Sequence, residues 1–279
     1  MIILTCANVD VAPDEFGKWY SGFSFKDVIQ KTVKMAEQCG YKSVVYDLGK
    51  LGMGEPFKVE DQTFAQKGYY DVKFETGYKS RSLFKPEVVF HCLNKHKEFT
   101  AYLDGDAQLI DNIDDIVTQD YDVGVTLRKD SEMEGDWYDD HFEIAKFVNA
   151  GVVFFNPTPA TMHFVEEWQK KTLELGNDQK ALNKLVCPDK CPEVNAILNI
   201  NGVRVKFFPC TQYNYYYFED GLEKDIRIMH FKGTVRKYYP FDTTKRIYCT
   251  TVIPVLNVAR SIKKAISKLK KSNFLPKKQ

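Results

Sequence analysis

The first strand, helix and strand of the chain decide most about how the rest can fold. Ile2 to Asn8 is a short apolar run that reads as a buried strand, and Lys42 to Leu48 is a second, β-branched and aromatic through Ser43-Val44-Val45-Tyr46. Between them, Phe25 to Cys39 places Val28, Ile29, Val33, Met35 and Ala36 on one helical face and stops at Gly40. Strand, helix and strand in this order make a parallel pair joined by a right-handed crossover, because a right-twisted strand feeding a right-handed helix packs back onto the sheet only in that hand. The expectation is an α/β fold with a mostly parallel central sheet flanked by helices. At 279 residues the chain suits one such domain with insertions.

The remaining segments extend this pattern. Gly49 to Gly54 is a plain glycine-rich loop, since it lacks the spacing of a nucleotide fingerprint, and Asp61 to Arg81 reads as irregular structure over a sheet edge. Lys85-Pro86 opens a helix with Val88, Val89, Cys92 and Leu93 inward. Leu109 to Val117 fits a short helix, Val123 to Leu127 and Phe147 to Phe155 fit strands, and a helix begins at Thr158 or Thr161. Asp178 follows at the amino end of another helix, where a carboxylate is favoured. Val203 to Pro209 and Ile226 to His230 are strand-like. The tyrosines between them, Tyr213, Tyr215, Tyr216 and Tyr217, suit either stacking on sugar rings or packing between strands.

Within this frame, Thr100 to Ile110 (TAYLDGDAQLI) stands out. A short apolar strand ends in Asp104 and Asp106 with Gly105 between them, a residue that permits a tight turn at the carboxyl end, where open α/β sheets bind ligands. Two hard oxygen ligands there suit Mg²⁺ or Mn²⁺, and such a cation in turn holds a diphosphate. The same pattern recurs at Asp120-Tyr121-Asp122, which reads instead as a turn leading into a strand. The acidic run Lys129 to Glu143 is read as a solvated loop, with a carboxylate metal site as its alternative. His230 closes an apolar strand and is followed by Lys232, Gly233, Arg236 and Lys237, the cations and close-approach glycine that a diphosphate site needs.

Bulk properties exclude other classes. A net charge of +1 argues against a nucleic-acid partner, and 14% aromatic residues argue against disorder. The seven cysteines are mostly isolated in apolar segments, as buried thiols of a reducing compartment are. Cys187 and Cys191 form the one close pair and read as free thiols in a loop, a zinc site needing two further ligands that the neighbouring sequence lacks. With no basic leader and no membrane-spanning run, the expected location is the cytosol.

Together these motifs resemble the metal-dependent, nucleotide-sugar-using glycosyltransferases of the GT-A fold, the glycogenin-like and lipopolysaccharide galactosyltransferase-like families. Tyr102-Leu103-Asp104-Gly105-Asp106 followed by Ile113-Asp114 resembles their acidic motif, and Asn149-Ala150-Gly151 their Asn-Ala-Gly strand. Asn177-Asp178-Gln179 is similar to their Asp-Gln helix, and His230-Phe231-Lys232-Gly233 to their His-Phe-x-Gly motif. The resemblance spans roughly residues 1 to 240 and implies a single-domain, Rossmann-like GT-A fold. It implies Asp104, Asp106 and His230 as ligands of Mn²⁺ (or Mg²⁺), and a UDP-sugar as donor. Thr5, Ala7 and Asn8 at the end of the first strand, Lys85, Gly105, Lys232, Gly233 and Arg236 would hold the donor. Asn149, Ala150, Gly151, Asp178 and Gln179 would line the donor sugar and a glycan, glycolipid or glycoprotein acceptor.

Two positions depart from the family pattern. Arg236-Lys237-Tyr238 stands where Lys-Pro-Trp is usual, and Val11 stands where an aromatic residue normally stacks on the base. The resemblance favours retention of anomeric configuration, whereas inversion would call on Asp178 or an acid of the Lys129 to Glu143 loop as base. The acceptor pocket is assigned to the loops Asp61 to Arg81, Lys129 to Glu143 and Cys187 to Leu198.

Residues 1–254 are read as the catalytic domain and 255–279 as a basic amphipathic helix and tail. Leu256, Ala259, Ile262, Ala265, Ile266 and Leu269 fall on one side, with Arg260, Lys263, Lys264, Lys268, Lys270 and Lys271 on the other. Such a helix suits either an anionic membrane surface or packing on the catalytic domain. The competing functions are a sugar nucleotidyltransferase, which would carry a basic glycine-rich loop where Asn8 to Gly17 is acidic, and a noncatalytic carbohydrate- or protein-binding module on the same fold.

Overall fold

The computed structural model describes residues 1–7, 23–47, 84–133, 147–187, 192–220 and 222–273. In chain order it holds β1 (Ile2–Ala7), α1 (Phe25–Gln38), β2 (Lys42–Asp47), α2 (Lys85–His96), β3 (Thr100–Asp104) and β4 (Ala107–Leu109). There follow α3 (Asp114–Val117), β5 (Val123–Leu127), α4 (Asp130–Met133), β6 (Val148–Phe155), α5 (Pro159–Leu175) and α6 (Asp178–Val186). The remainder comprises β7 (Ile197–Ile200), β8 (Val203–Pro209), α7 (Cys210–Tyr213), β9 (Ile228–His230), α8 (Thr243–Ile247) and α9 (Ile253–Asn273). The readings at Asn8, Val11, Gly49 to Gly54 and Asp61 to Arg81 fall outside the described residues, as do 134–143 of the acidic run, Cys191 and 274–279.

One seven-stranded sheet has the order β2-β1-β3-β6-β5-β8-β7. β1, β2, β3, β5 and β8 share one direction, while β6 and β7 run against their neighbours, so the sheet is mostly parallel as expected. Successive β1 residues feed opposite faces: Leu4 joins a core with Val88, Val165, Trp168 and Leu182 of α2, α5 and α6, and Ile3 joins one with Ala36, Leu109, Ile113 and Ile116. Both faces are therefore covered, which is why the central strands are buried at every position rather than at alternate ones. α1 is capped by the Ser24 hydroxyl and turned out at Gly40, whose φ of 76° favours glycine.

Two expectations are corrected. Leu109 to Val117 is not one helix: Ala107–Leu109 pairs with Ile228–His230 as a separate antiparallel ribbon, and only Asp114–Val117 is helical. A three-residue strand carries too little periodicity to announce itself. Within Cys187 to Leu198, read as a loop, Ile197 and Leu198 belong to the edge strand β7, paired to β8. The tight turn expected at Gly105 is present at residues 105–106; Gly105 lies outside the left-handed region, and its lack of a side chain is needed because a Cβ would overlap Ala7 of β1.

The Asp120-Tyr121-Asp122 turn is a structural joint. Asp122 Oδ2 accepts from Arg204 N at 2.9 Å and Arg204 Nε at 3.1 Å, while Oδ1 accepts from Arg204 Nη2 at 3.0 Å and Thr158 Oγ1 at 2.9 Å. It thus ties the entry of β5 to β8 and to the N-cap of α5. Burial alone would raise the Asp122 carboxyl, but hydrogen bonds from Arg204 and Thr158 outweigh it and hold it below the ordinary range. Asp122→Ala is expected to cost about 2 kcal/mol, less than for a fully buried pair because Arg204 is partly solvated. A depressed carboxyl contributes stability above its unfolded pKa of about 3.9, and loses it as pH falls through the lower folded value. Melting curves of parent and variant should therefore differ by about 5 °C at neutral pH and converge in acid.

Candidate active site

The site forms where three sheet features meet. β6 runs antiparallel to β3, so its amino end reaches the carboxyl end of β3, with Val152 opposite Leu103 and Gly151 next in line toward Asp104. β6 also leaves its register with β5 between Val153 and Asn149, opposite Val125 and Thr126, and at this irregularity Asn149 and Gly151 line the site. The β4–β9 ribbon pairs Ala107 with His230, which brings the histidine beside Asp106; Phe231 N also donates to Asp106 O at 2.8 Å.

One ligand atom each from Asp104, Asp106 and His230 lie within 4.8 Å of one another. His230 Nε2 stands 3.1 Å from Asp106 Oδ1 and 4.0 Å from Asp104 Oδ2. Asp106 is buried, which alone would raise its carboxyl; His230 and then Arg236, whose Nη2 donates to Oδ2 at 2.7 Å, outweigh burial and hold it well below the usual range.

A hydrogen-bond relay fixes how the histidine faces. Gly151 N–H donates to Asn149 Oδ1 at 2.9 Å, which makes that atom an acceptor. Asn214 Nδ2 donates to the same oxygen at 3.0 Å and to Thr126 Oγ1 at 2.8 Å, leaving Asn214 Oδ1 to accept from His230 Nδ1 at 2.8 Å. Nε2 is then the ring nitrogen turned to the two carboxylates, donating to Asp106 Oδ1 when it carries a proton and offering its lone pair to a shared cation when it does not. A Cβ on Gly151 would overlap the His230 ring. Donor set, ring orientation and cradle all fit a divalent cation.

Around this centre lies a cleft of about 300 Å³. Its charged lining is balanced, with Asp104, Asp106 and Asp178 against Lys85, Lys180 and Lys232, so a divalent ion would leave an excess of two positive charges for a diphosphate. Lys85 is buried and donates to Asp104 Oδ1 at 2.9 Å, Asp178 Oδ2 at 2.7 Å and Ala150 O at 3.0 Å, so all three of its protons are committed to the protein. Tyr102 OH donates to the same Asp104 oxygen at 2.8 Å, and Cys6 Sγ lies 3.2 Å behind it. Burial pushes the Cys6 thiol up to about 12 and keeps it protonated. Lys232 lies 3.3 Å from the Tyr216 ring centre, and burial, followed by the Arg128 charge, pushes its ammonium down to about 8.

α6 brings Asp178 and Gln179 to the cleft. Asn177 caps the helix, Trp168 Nε1 holds Asp178 O at 2.9 Å, and Asn183 Oδ1 accepts from Phe147 N and Val148 N, docking the helix on the start of β6. Gln179 Oε1 accepts from Ala150 N at 3.4 Å. Asn149, Gly151, Asp178, Gln179 and Lys232 therefore line the cleft. Ala150 and Arg236 stand behind it, through Lys85 and Asp106 respectively, whereas Gly105, packed against Ala7, and the exposed Gly233 are outside that lining. Thr5 and Ala7 are buried at the end of β1, away from that lining, with Thr5 Oγ1 lacking a partner among the described residues.

The four tyrosines are buried; Tyr216 and Tyr217 both donate to Glu132 Oε2, at 2.6 and 2.7 Å, so they pack rather than present a sugar-stacking surface. Sequence reasoning missed Asn214. It sits inside that tyrosine run, and no local pattern distinguishes an asparagine that orients a distant histidine.

Solved structures similar to this chain include a glycosyltransferase involved in glycosylation of the major capsid of PBCV-1, at 13% identity over 85% of this chain and 98% of that one, with a TM-score of 0.47. The galactosyltransferase LgtC, in complex with donor and acceptor sugar analogs, matches at 14% identity over 84% of this chain and 87% of that one, TM-score 0.44. Mouse xyloside xylosyltransferase 1 matches at 12% identity over 82% and 96%, TM-score 0.42. A search of curated proteins found no match. The model of one family, described as nucleotide-diphospho-sugar transferase, matches residues 58–238, a span that holds the acidic pair, the Asn-Ala-Gly strand, the Asp-Gln helix and His230. The chain therefore belongs to the nucleotide-diphospho-sugar transferase family and is a glycosyltransferase.

Proposed function

We propose that the protein moves a sugar from a UDP-sugar to a hydroxyl of a glycan, glycolipid or glycoprotein, with Mn²⁺ or Mg²⁺ held by Asp104, Asp106 and His230, and with retention of configuration. The observation that carries this reading is the convergence of those three ligand atoms, with His230 Nε2 turned to the carboxylates by Asn214. A bound divalent ion supplies charge stabilisation to the departing diphosphate. The chain's own residues do the rest. Lys85 holds Asp104 and Asp178 in fixed relation, Lys232 offers an ammonium at the edge of the cleft, and Asp178 and Gln179 orient the sugar and acceptor hydroxyls. Among the described residues, Asp178 is the cleft carboxylate outside the ligand set, and Lys85 engages its Oδ2. No other described acid stands ready to take an acceptor proton, which supports retention, where no dedicated base is required.

The test is calorimetric titration of UDP, GDP and CMP into the protein with Mn²⁺ and again with chelator. UDP is expected to bind only with metal. Asn214→Ala, which frees the His230 ring, is expected to weaken Mn²⁺ about 10- to 100-fold. Equal binding of all three nucleotides in chelator would reject the reading.

A further inference from the structure

The last helix turns its apolar side away from the protein. Ile253 is buried, and Asn257 Nδ2 donates to Glu219 O at 2.9 Å, so this side of α9 packs on the domain around Tyr238. On the other side Val255 is 69% exposed, Val258 61%, Ile262 56% and Ile266 49%, at the three- and four-residue spacing of one helical face. Ile247, Tyr248 and Val252, just before α9, are exposed as well. From Ile247 to Ile266 this makes a stripe about 30 Å long at 1.5 Å per residue. Packing on the catalytic domain, the alternative left open by the sequence, uses the opposite face.

Charge says what covers such a stripe. From Thr243 to Gln279 the chain carries ten lysines and arginines and no aspartate or glutamate. A second copy of the chain would bring two such segments together and repel. A polyanionic surface with an apolar layer beneath its charges matches both properties. No helix among the described residues is long and apolar enough to cross a membrane, so the matching geometry is a helix lying in the interface.

We propose that Ile247 to Ile266 is a docking surface for an anionic lipid bilayer, its aliphatic stripe entering the headgroup boundary and its basic residues meeting the lipid phosphates. This goes beyond sugar transfer and is tested without nucleotide. The full chain is sedimented with vesicles of phosphatidylcholine alone and of phosphatidylcholine with phosphatidylglycerol. It should pellet with the anionic vesicles at least tenfold more than with the neutral ones, and less as salt rises. Lys263→Gln should weaken the partition about fivefold, the equivalent of about 1 kcal/mol for one basic residue. Val258→Glu and Ile262→Glu, both at exposed positions, should each weaken it more than tenfold while leaving the melting temperature unchanged. Pelleting that ignores lipid charge, or none with either vesicle, overturns the proposal. So does a dimer in solution that Val258→Glu splits, since the stripe would then be an interface between copies.

Discussion

Asp106→Asn is expected to abolish Mn²⁺-dependent UDP binding and to lower sugar transfer about a thousandfold. The substitution keeps the shape of the side chain and removes its charge. Asp106 is buried, held ionised by His230 and Arg236, and placed so that Oδ1 faces His230 Nε2 at 3.1 Å. A carboxylate already committed to the charged state presents a hard anionic ligand without first losing a proton, whereas a neutral amide is a weak one. Loss of the ion removes several kcal/mol of charge stabilisation at the departing diphosphate; about 4 kcal/mol corresponds to the thousandfold figure. The checks are calorimetry of UDP with Mn²⁺ and the rate of donor hydrolysis. Activity within tenfold of the parent would remove Asp106 from the ligand set. The melting temperature is read alongside, because the amide keeps one acceptor oxygen, for Arg236 or for His230, and turns an NH2 donor toward the other.

The sequence pointed to this centre because its parts are local. An acidic pair ending a strand and a histidine ending another each carry their signal within a few residues, and the topology has only to bring the two ends together. Helix boundaries were legible for the same reason: Ser24, Thr158 and Asn177 cap their helices through their own side chains. What escaped is written over long separations. Asn214 matters through partners 65 and 88 residues away in the chain. The β4–β9 ribbon has too few residues to show a period, yet it sets His230 beside Asp106. Gly151 reads as part of a motif in the sequence, while its physical necessity, room for the His230 ring, exists only in the fold. Local rules thus named the reacting groups, and tertiary hydrogen bonds supplied their orientation.

Lys85 gives the second large effect. The resemblance assigned it to the donor, and in the fold its ammonium joins a metal-side carboxylate, Asp104, to an acceptor-side one, Asp178, with Ala150 O as third partner. Burial would lower its pKa, but Asp104 and then Asp178 outweigh this and hold the ammonium above its ordinary range, so the charge is present at any working pH. Lys85→Met removes that charge, keeps most of the side-chain volume and leaves Asp178 buried opposite an apolar group. The expected cost is about 3–5 kcal/mol, the range for breaking a buried pair by deleting one partner, or a fall of about 10 °C in melting temperature. Transfer should fall with it, because Asp104 and Asp178 lose their common anchor. Lys85→Arg separates the two effects: it restores the charge, and with it much of the stability, but spreads the donors over a planar fork that does not reproduce three bonds from one atom. A variant that melts near the parent yet transfers sugar at least tenfold more slowly would mark Lys85 as a positioning residue. If Lys85→Met instead kept its melting temperature and weakened UDP alone, the ammonium would be acting on the donor rather than on the two aspartates.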